Sequence, residues 1–316
     1  MLRHYLQWHI THACNLKCRH CYQEDYSCVM PYAEMAETLD KYDEYIRAEG
    51  FEGQINLTGG EPLLHPDFFK IAADIRRRGI RLGILTNGTL IDDACAEAIA
   101  KLKPVFVQVS LDGSEKVHDA IRGEGNFKRA LRGIDCLKKQ GVRVLVSFTV
   151  MQGNYKEFKK VAAVCARHKV DKLWWDRVVT DDPEQYVTTS QFKEISKAAA
   201  GLARRHPFIS NSRALQWIPE GSCSYECSAG KRLLIILANG DMMACRRLPF
   251  VIGNIADVSD LKTWLKSNEI MKKLAEPVFP RDCVQCPHFY KCAGGARCVT
   301  YAQTGRLDAR DVNCYV

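Results

Sequence analysis

The chain lacks the long apolar runs that membrane proteins need. Its 316 residues contain no apolar run of about eighteen positions, the length that a membrane-spanning helix requires. The first residues, Met1 to Gln7, do not combine a basic stretch with an apolar one, so they do not form a secretory signal. These absences predict a cytoplasmic protein without a membrane partner.

Low-complexity tracts and short-period repeats are also missing, and nothing indicates disorder. Apolar residues make up 47% and charged residues 26% of the chain, enough for a sizeable core and one or two domains. The formal net charge of +8 fits an anion-binding protein or a solvated basic surface. Metal-bound thiolates would reduce this charge, so we do not expect a nucleic acid partner.

Cysteine falls short of the density that marks a disulfide scaffold. The chain has fifteen cysteines, about 5% of its residues, whereas disulfide scaffolds exceed about 8%. Most of them are clustered, and clustered cysteines in a reducing compartment are typical of metal sites. Four isolated cysteines are predicted to take no part in these metal sites, namely Cys28, Cys95, Cys136 and Cys165.

The first group of cysteines along the chain supplies three thiolates rather than four, from Cys14, Cys18 and Cys21. A cubane iron–sulfur cluster is normally held by four cysteines, so three would leave one iron open to a ligand that is not protein. Short cysteine spacings also make structural zinc sites or incidental thiol pairs. The spacing alone therefore leaves a catalytic iron and a structural site both open.

Strand-like apolar runs alternate with helical segments over roughly the first two hundred residues, which is typical of repeated βα units with a parallel sheet. The predicted strands are Tyr5–Thr11, Gln54–Thr58, Arg81–Asn87, Val105–Leu111, Val142–Val150 and Lys172–Val178. The predicted helices are Pro31–Glu49, Pro66–Arg78, Asp92–Leu102, Phe127–Gln140 and Tyr155–His168, several of them ending at a glycine. Six units are fewer than the eight of a closed barrel, so we expect an α/β fold with an incomplete (β/α)6 TIM-like barrel.

The βα pattern stops after the sixth strand. A helix predicted at Ser190–Arg204 follows, and the cysteine density rises from Gly221 onward. We therefore divide the chain into a barrel domain with its bridging helix, residues 1–210, and a cysteine-rich domain, residues 211–316.

Alternation along the strands separates an apolar face from a polar one. Trp8 and Ile10 share one face of the first strand, while Gln7, His9 and Thr11 share the other. The polar positions of later strands are Gln54, Asn56 and Thr58, then Gln108 and Ser110, then Arg143, Ser147 and Thr149. If the apolar faces pack on helices, the polar faces line a chamber that holds a ligand. The alternative is a set of buried polar residues that satisfy one another.

Two further motifs follow predicted strands. Gly59-Gly60-Glu61-Pro62 ends the second strand, where paired glycines allow a close backbone approach and Glu61 offers an acceptor for an ammonium group. A tight turn is the alternative explanation. The carboxyl ends of barrel strands form the functional face of such folds, which favours a binding role.

The fourth predicted strand ends in Ser110 and Asp112, and Arg122 follows. The hydroxyl and carboxylate suit a ribose, and the guanidinium suits a carboxylate, although a turn is again the alternative. Together the strand ends predict a ligand with an amine, a carboxylate and a nucleoside.

In these motifs and their order, residues 5–180 resemble the radical S-adenosylmethionine (SAM) superfamily. The resemblance implies that Cys14, Cys18 and Cys21 hold a [4Fe–4S] cluster whose open iron binds SAM. It places His20 beside the adenine and makes Asn87 a further ligand neighbour. Reductive cleavage of SAM would give a 5′-deoxyadenosyl radical that abstracts hydrogen from a substrate, and it would require a low-potential electron donor such as a flavodoxin or ferredoxin.

The later cysteines resemble the SPASM extension of peptide-modifying members of that superfamily. The resemblance implies one auxiliary [4Fe–4S] cluster on Cys223, Cys227, Cys245 and Cys298, and a second on Cys283, Cys286, Cys292 and Cys314. Cys292 and Cys298 are separated by five residues where the family pattern has three. A pair of all-cysteine zinc sites is the alternative.

The leading functional hypothesis is crosslinking of a ribosomally made precursor peptide through a thioether or carbon–carbon bond. A sulfatase-type formylglycine maturase and a redox-cofactor biosynthesis enzyme are alternatives, but Arg246 stands where the sulfatase maturases have an acidic base. The competing class is a non-catalytic iron–sulfur electron carrier or a zinc-stabilised binding protein.

The residues that act on the substrate are harder to predict. Gln108, Asp176 and Arg177 are the candidate catalytic residues, because each lies on a polar strand face or at a strand end. Only Met1–His4 precede the first strand, so any leader peptide would be recognised by the body of the protein or by a separate leader-binding partner.

Overall fold

The fold was obtained as a computed structural model, which describes residues 1–23, 25–211, 219 and 227–316. Its strands are β1 (Arg3–His9), β2 (Glu52–Thr58), β3 (Arg81–Thr86), β4 (Phe106–Ser110), β5 (Val144–Val150), β6 (Lys172–Arg177), β7 (Ile209–Ser210), β8 (Leu233–Ile236), β9 (Asp241–Met243) and β10 (Val251–Asn254). Its α-helices are α1 (Tyr32–Ala48), α2 (Phe68–Arg77), α3 (Asp93–Lys101), α4 (Glu115–Arg122), α5 (Asn126–Lys139), α6 (Phe158–Arg167), α7 (Thr189–Ala203), α8 (Leu261–Ser267), α9 (Glu269–Ala275), α10 (Phe289–Cys292) and α11 (Arg297–Thr304).

The described strands form one sheet in the order β10-β9-β8-β1-β2-β3-β4-β5-β6-β7. Strands β1 to β7 are parallel and follow the chain order, as successive βα units should. The described sheet ends at β7 and β10 and does not close, which confirms the incomplete barrel. All carboxyl ends of β1 to β6 therefore meet at one edge, where the predicted motifs lie.

The C-terminal region shares this sheet instead of folding beside it. β8 pairs in parallel with the free side of β1, and β9 and β10 continue the sheet in antiparallel fashion. Sequence analysis did not predict this pairing. The domain boundary near residue 210 stays a prediction.

The apolar strand faces pack on the helices as predicted. Leu6 and Trp8 of β1 and Ile10 directly after it are fully buried within the main core. On the other face, polar neighbours contact each other within a strand: Gln54 donates to Asn56 over 3.0 Å, and Gln7 and His9 lie 3.1 Å apart. The polar faces thus satisfy part of their own hydrogen bonding, as the alternative interpretation required.

Helix ends agree with the glycine positions, whereas one helix between the predicted strands was missed. Gly50, Gly79 and Gly141 follow α1, α2 and α5 with φ of +66°, +76° and +70°, which only glycine adopts without strain. Helix α4 was not predicted, because its eight residues lie between the glycines Gly113 and Gly123 and look like an extended turn. No described helix is long and apolar enough to cross a membrane.

Candidate active site

The three-cysteine loop, residues 14–21, follows the carboxyl end of β1. Cys14 and Cys18 are half-buried and Cys21 is exposed. Backbone amides already face two of the sulfurs, since Leu16 N donates to Cys14 Sγ and Gln23 N to Cys21 Sγ, each over 3.4 Å. Burial raises the pKa of the Cys14 thiol to about 11, so a bound cation is needed to hold this sulfur as a thiolate at neutral pH.

The glycine pair after β2 holds the beginning of this loop. Gly60 N donates to Thr11 O and Glu61 N donates to Ala13 O, both over 2.8 Å. A Cβ at Gly59 would lie 2.2 Å from Thr11 O, and one at Gly60 would lie 2.3 Å from Ala13 O. The glycines are therefore required by close approach to the chain that leads into the cysteine loop, and the predicted approach of a ligand to them stays a prediction.

Glu61 joins the ends of β2 and β3. Its carboxylate is fully buried and accepts hydrogen bonds from Thr86 Oγ1 and Asn87 N, each over 2.7 Å. Burial raises the pKa of this carboxyl to about 7. The Asn87 amide in turn donates to Asn15 Oδ1 in the cysteine loop over 2.9 Å. Glu61 and Asn87 thus position the loop, and direct contact with a ligand stays a prediction for both.

Asp112 and Arg122 form a buried ion pair that reaches the cysteine loop. Arg122 Nε lies 2.5 Å from Asp112 Oδ2, and Arg122 Nη1 lies 3.8 Å from Cys18 Sγ. The other Asp112 oxygen accepts from Thr149 N over 3.0 Å. Burial opposes ionisation of Asp112, but Arg122, His20 and the hydrogen bond from Thr149 N together outweigh it and hold the pKa of the carboxyl below its usual value.

The contacts of this pair add a role that the sequence does not indicate. Asp112 has no exposed surface and both of its oxygens accept from protein groups, so the geometry supports a positioning role rather than a ribose contact. The carboxylate that Arg122 binds in the structure is that of Asp112. Contacts of either residue with SAM stay predictions.

His20 lies against this pair, with its Nε2 3.4 Å from Arg122 Nη2. Burial lowers the pKa of His20 to about 4, so its ring is neutral at physiological pH. Its Nδ1 is buried without a hydrogen-bond partner. An orphaned ring nitrogen beside the cysteine loop indicates that a polar ligand atom belongs here.

Ser110 and Gln108 are the polar side chains of β4 that remain available. Both are half-buried, and neither side chain makes a hydrogen bond within the described part of the chain. They share one strand face. Gln108 therefore remains a candidate for substrate contact and Ser110 for contact with SAM.

The later cysteines fall into two groups. The thiols of Cys298 and Cys227 both lie close enough to Cys245 to raise its pKa electrostatically, and Cys227 likewise raises the pKa of Cys298. The second group surrounds a cavity of about 90 Å³ lined by Cys283, Cys286, Cys292 and Cys314. Cys223, the predicted fourth ligand of the first group, lies outside the described residues.

Asp176 and Arg177 end β6 and both form ion pairs with the C-terminal region. Arg247 pairs with Asp176, and its Nη2 donates to Arg177 O over 2.6 Å. Arg177 is buried and binds Asp311 with two hydrogen bonds of 2.7 and 2.8 Å. These contacts support positioning of the cysteine-bearing loops, and a catalytic role for either residue stays a prediction.

Two further residues of this site belong to no recognised motif. Asn15 connects the cysteine loop to β3, and Tyr22 stacks on Arg246, whose guanidinium carbon lies 4.0 Å from the ring centroid. The only sequence signal for Asn15 and Tyr22 is their position next to Cys14 and Cys21.

Comparison with protein families decides the identity of this site. The model of the radical SAM superfamily matches residues 8–165, half of the chain, and that of the SPASM iron–sulfur cluster-binding domain matches residues 227–287. The chain belongs to the radical SAM superfamily. It is therefore an enzyme that uses a [4Fe–4S] cluster and SAM, with auxiliary iron–sulfur clusters in its SPASM region.

Known radical SAM proteins resemble the chain over nearly its whole length. Mycofactocin maturase MftC of Mycobacterium tuberculosis is 27% identical, over 98% of this chain and 82% of its own. The AdoMet-dependent heme synthase of Methanosarcina barkeri is 31% identical, over 95% of this chain and 93% of its own. Streptococcus suis SuiB, crystallised with SAM, is 17% identical with a TM-score of 0.78 over 100% of this chain and 78% of its own. SuiB shares the fold.

The described residues fit the radical SAM cofactors by their donor chemistry. Thiols are the ligands of iron–sulfur clusters, and the second group already surrounds a cavity. The orphaned His20 Nδ1 and the available Ser110 suit a polar cofactor beside the three-cysteine loop. No set of three or more His, Cys, Asp or Glu side chains among the described residues is spaced as a closed metal site. The fit of these residues to the cofactors therefore depends on the type of donor atom and on the groups around it.

Proposed function

We propose that this radical SAM enzyme matures a peptide, by forming a thioether or carbon–carbon crosslink in a ribosomally made precursor. The observation that carries the proposal is the three-cysteine loop, held at the carboxyl edge by the Gly59–Gly60 and Glu61–Asn87 contacts. The similarity to a maturase over 98% of the chain favours a maturation reaction. SuiB, which has the same fold, has been crystallised with precursor peptide SuiA.

When bound, the reduced cluster and SAM supply a 5′-deoxyadenosyl radical that abstracts hydrogen. The chain holds and shields them. Cys14, Cys18 and Cys21 would be the ligands of the first cluster, and Arg122 would place a positive charge beside Cys18. Gln108 and Ser110 would face the substrate and SAM from β4.

The two later cysteine groups would hold auxiliary clusters. Abstraction of hydrogen leaves one more electron to be removed from the substrate, and cluster potentials extend over hundreds of millivolts. Cys227, Cys245 and Cys298, with Cys223, would hold one cluster, and Cys283, Cys286, Cys292 and Cys314 the other. The partners implied are the peptide, a low-potential electron donor such as a flavodoxin or ferredoxin, and a separate protein where a leader must be bound.

SAM cleavage provides the first test. The protein is reconstituted anaerobically, reduced with dithionite and supplied with SAM, and 5′-deoxyadenosine is measured. We expect product from the wild type and from Cys95→Ala, whose thiol lies in α3, and none from the Cys14→Ala/Cys18→Ala/Cys21→Ala variant. Fully loaded wild type that yields no 5′-deoxyadenosine would exclude the reaction.

The substrate class needs a separate test. The protein is incubated with SAM and each short peptide encoded beside its gene, and mass spectrometry detects the loss of hydrogen that a crosslink requires. The similarity to the heme synthase favours a second candidate, a heme-forming reaction in redox-cofactor biosynthesis. Conversion of an iron porphyrin, with every peptide unchanged, would select that candidate.

A further inference from the structure

Two consecutive arginines, Arg246 and Arg247, follow Cys245, and their side chains make different contacts. Arg247 has an acidic partner, Asp176, and also donates to the Arg177 carbonyl. Arg246 has no carboxylate within ion-pair distance among the residues that the structure describes, and its Nε is buried without a hydrogen-bond partner. Partial burial of a cation without a counter-charge costs free energy of folding. The position of Arg246 therefore calls for a functional explanation.

The ring of Tyr22 orients the guanidinium of Arg246 by stacking on it. The guanidinium carbon lies 4.0 Å from the centroid of the Tyr22 ring, the geometry of a cation–π contact. Stacking on one face leaves the edge of the planar guanidinium, with its N–H groups, free to bind a partner. Since Tyr22 follows Cys21 and Arg246 follows Cys245, this contact brings the first cysteine loop beside one of the C-terminal cysteines.

His9 lies close enough to Arg246 to interact with it electrostatically, and it adds no negative charge. His9 on the polar face of β1 has a pKa lowered to about 3 by burial, to which the charge of Arg246 contributes, so it is neutral.

We infer that Arg246 is a specificity-determining residue that binds a carboxylate of the substrate through the free edge of its guanidinium. This inference rests on the proposed function and names the chemical group by which the substrate is recognised. Arginine matches a carboxylate with two parallel hydrogen bonds. In a peptide, that group is the C-terminal carboxylate or an aspartate or glutamate side chain.

The test measures binding of small carboxylates to the full chain with its clusters and SAM. N-acetylglycine represents the terminal carboxylate, N-acetylaspartic acid α-methylamide a side-chain carboxylate, and N-acetylglycine methylamide the neutral control. Saturation-transfer NMR gives an apparent affinity for each compound. The variants are Arg246→Gln, Arg246→Lys and Arg306→Gln, the last changing an exposed arginine that pairs with Asp308.

We expect at least one carboxylate to bind the wild type and Arg306→Gln, and the neutral compound not to bind. Arg246→Gln should weaken that binding by about tenfold or more, because a charged hydrogen-bonded pair is lost. Arg246→Lys should recover part of it, since lysine keeps the charge but not the two-pronged geometry. The compound that binds identifies the terminal or the side-chain carboxylate as the group recognised.

Equal binding by Arg246→Gln and wild type would overturn the inference, as would equal binding of the neutral compound or no carboxylate binding to the wild type. Iron content measured on every variant shows that each one is folded and loaded. 5′-Deoxyadenosine formation by the wild type is measured in parallel. If the wild type binds the carboxylate through Arg246 but cleaves no SAM, the proposed function fails while the carboxylate site stands.

Discussion

Arg177 of β6 binds Asp311 with both terminal nitrogens, at 2.7 and 2.8 Å, although 134 positions separate them in the chain. Asp311 Oδ2 also accepts from Ala296 N over 2.7 Å, two residues before Cys298, and Asp311 itself lies three residues before Cys314. This pair therefore attaches both C-terminal cysteine groups to the carboxyl edge of the barrel.

The first prediction is that Arg177→Met destabilises the protein strongly. Removing the guanidinium leaves the Asp311 carboxylate buried without its counter-charge, which typically costs about 3–5 kcal/mol. Urea unfolding of preparations with equal iron content measures the change. The exposed Arg306–Asp308 pair provides the control, because Arg306→Gln should leave the midpoint nearly unchanged. Equal midpoints for Arg177→Met and wild type would contradict the prediction.

The second prediction concerns acid stability and His4 of β1. Burial lowers the pKa of His4 in the folded chain to about 3, while an unfolded histidine titrates near 6.5. Because the folded-state pKa is depressed, the contribution of neutral His4 to stability is complete above pH 6.5. It is lost at up to about 1.4 kcal/mol per pH unit as the pH falls below that value.

His4→Gln should therefore flatten the fall in unfolding free energy between pH 6.5 and pH 4, measured by urea unfolding at several pH values. His206→Gln is the matched control, because His206 is exposed after α7 and its replacement should leave the slope unchanged. A slope that is the same in His4→Gln and wild type would show that His4 does not limit acid stability.

Local patterns were sufficient to predict the barrel. Strands β1 to β6 lie within two residues of their predicted bounds, because each alternates or runs apolar between turn residues that end it. The polar and apolar faces of β1 were also correct for Trp8 and His9, since this split depends only on strand geometry. Pairing of β8 with β1 was not predictable, because contacts across more than two hundred positions leave no local pattern.

The candidate site also has some features that a local sequence pattern indicates and others that it does not. The cysteines and the Gly59–Pro62 motif carry spacing that is visible in the sequence, whereas the partner of a charged residue is not. Asp112 and Arg122 were singled out as ligand contacts, but nothing local indicates that they pair with each other. Arg246 was noticed as a departure from an acidic residue, and its stacking on Tyr22 emerged only from the fold.

The third prediction is that Gly60→Ala impairs the three-cysteine loop. A Cβ there would lie 2.3 Å from Ala13 O and 2.4 Å from His12 O, so the backbone before Cys14 must shift. The variant should lose about four irons, the content of one cubane, together with SAM cleavage. Gly153→Ala is the control, because no atom lies within 4 Å of its added Cβ. Full iron content in Gly60→Ala would refute the close-approach explanation.

The fourth prediction is that the cysteine groups bind iron independently. Three cubanes would give about twelve irons per chain, and loss of one set should remove about four. Cys283→Ala/Cys286→Ala should show this loss while the first cluster and 5′-deoxyadenosine formation persist, because their thiols line a separate cavity. Cys95→Ala should keep all the iron. A wild type with about four irons and bound zinc would instead assign the C-terminal cysteines to structural zinc sites.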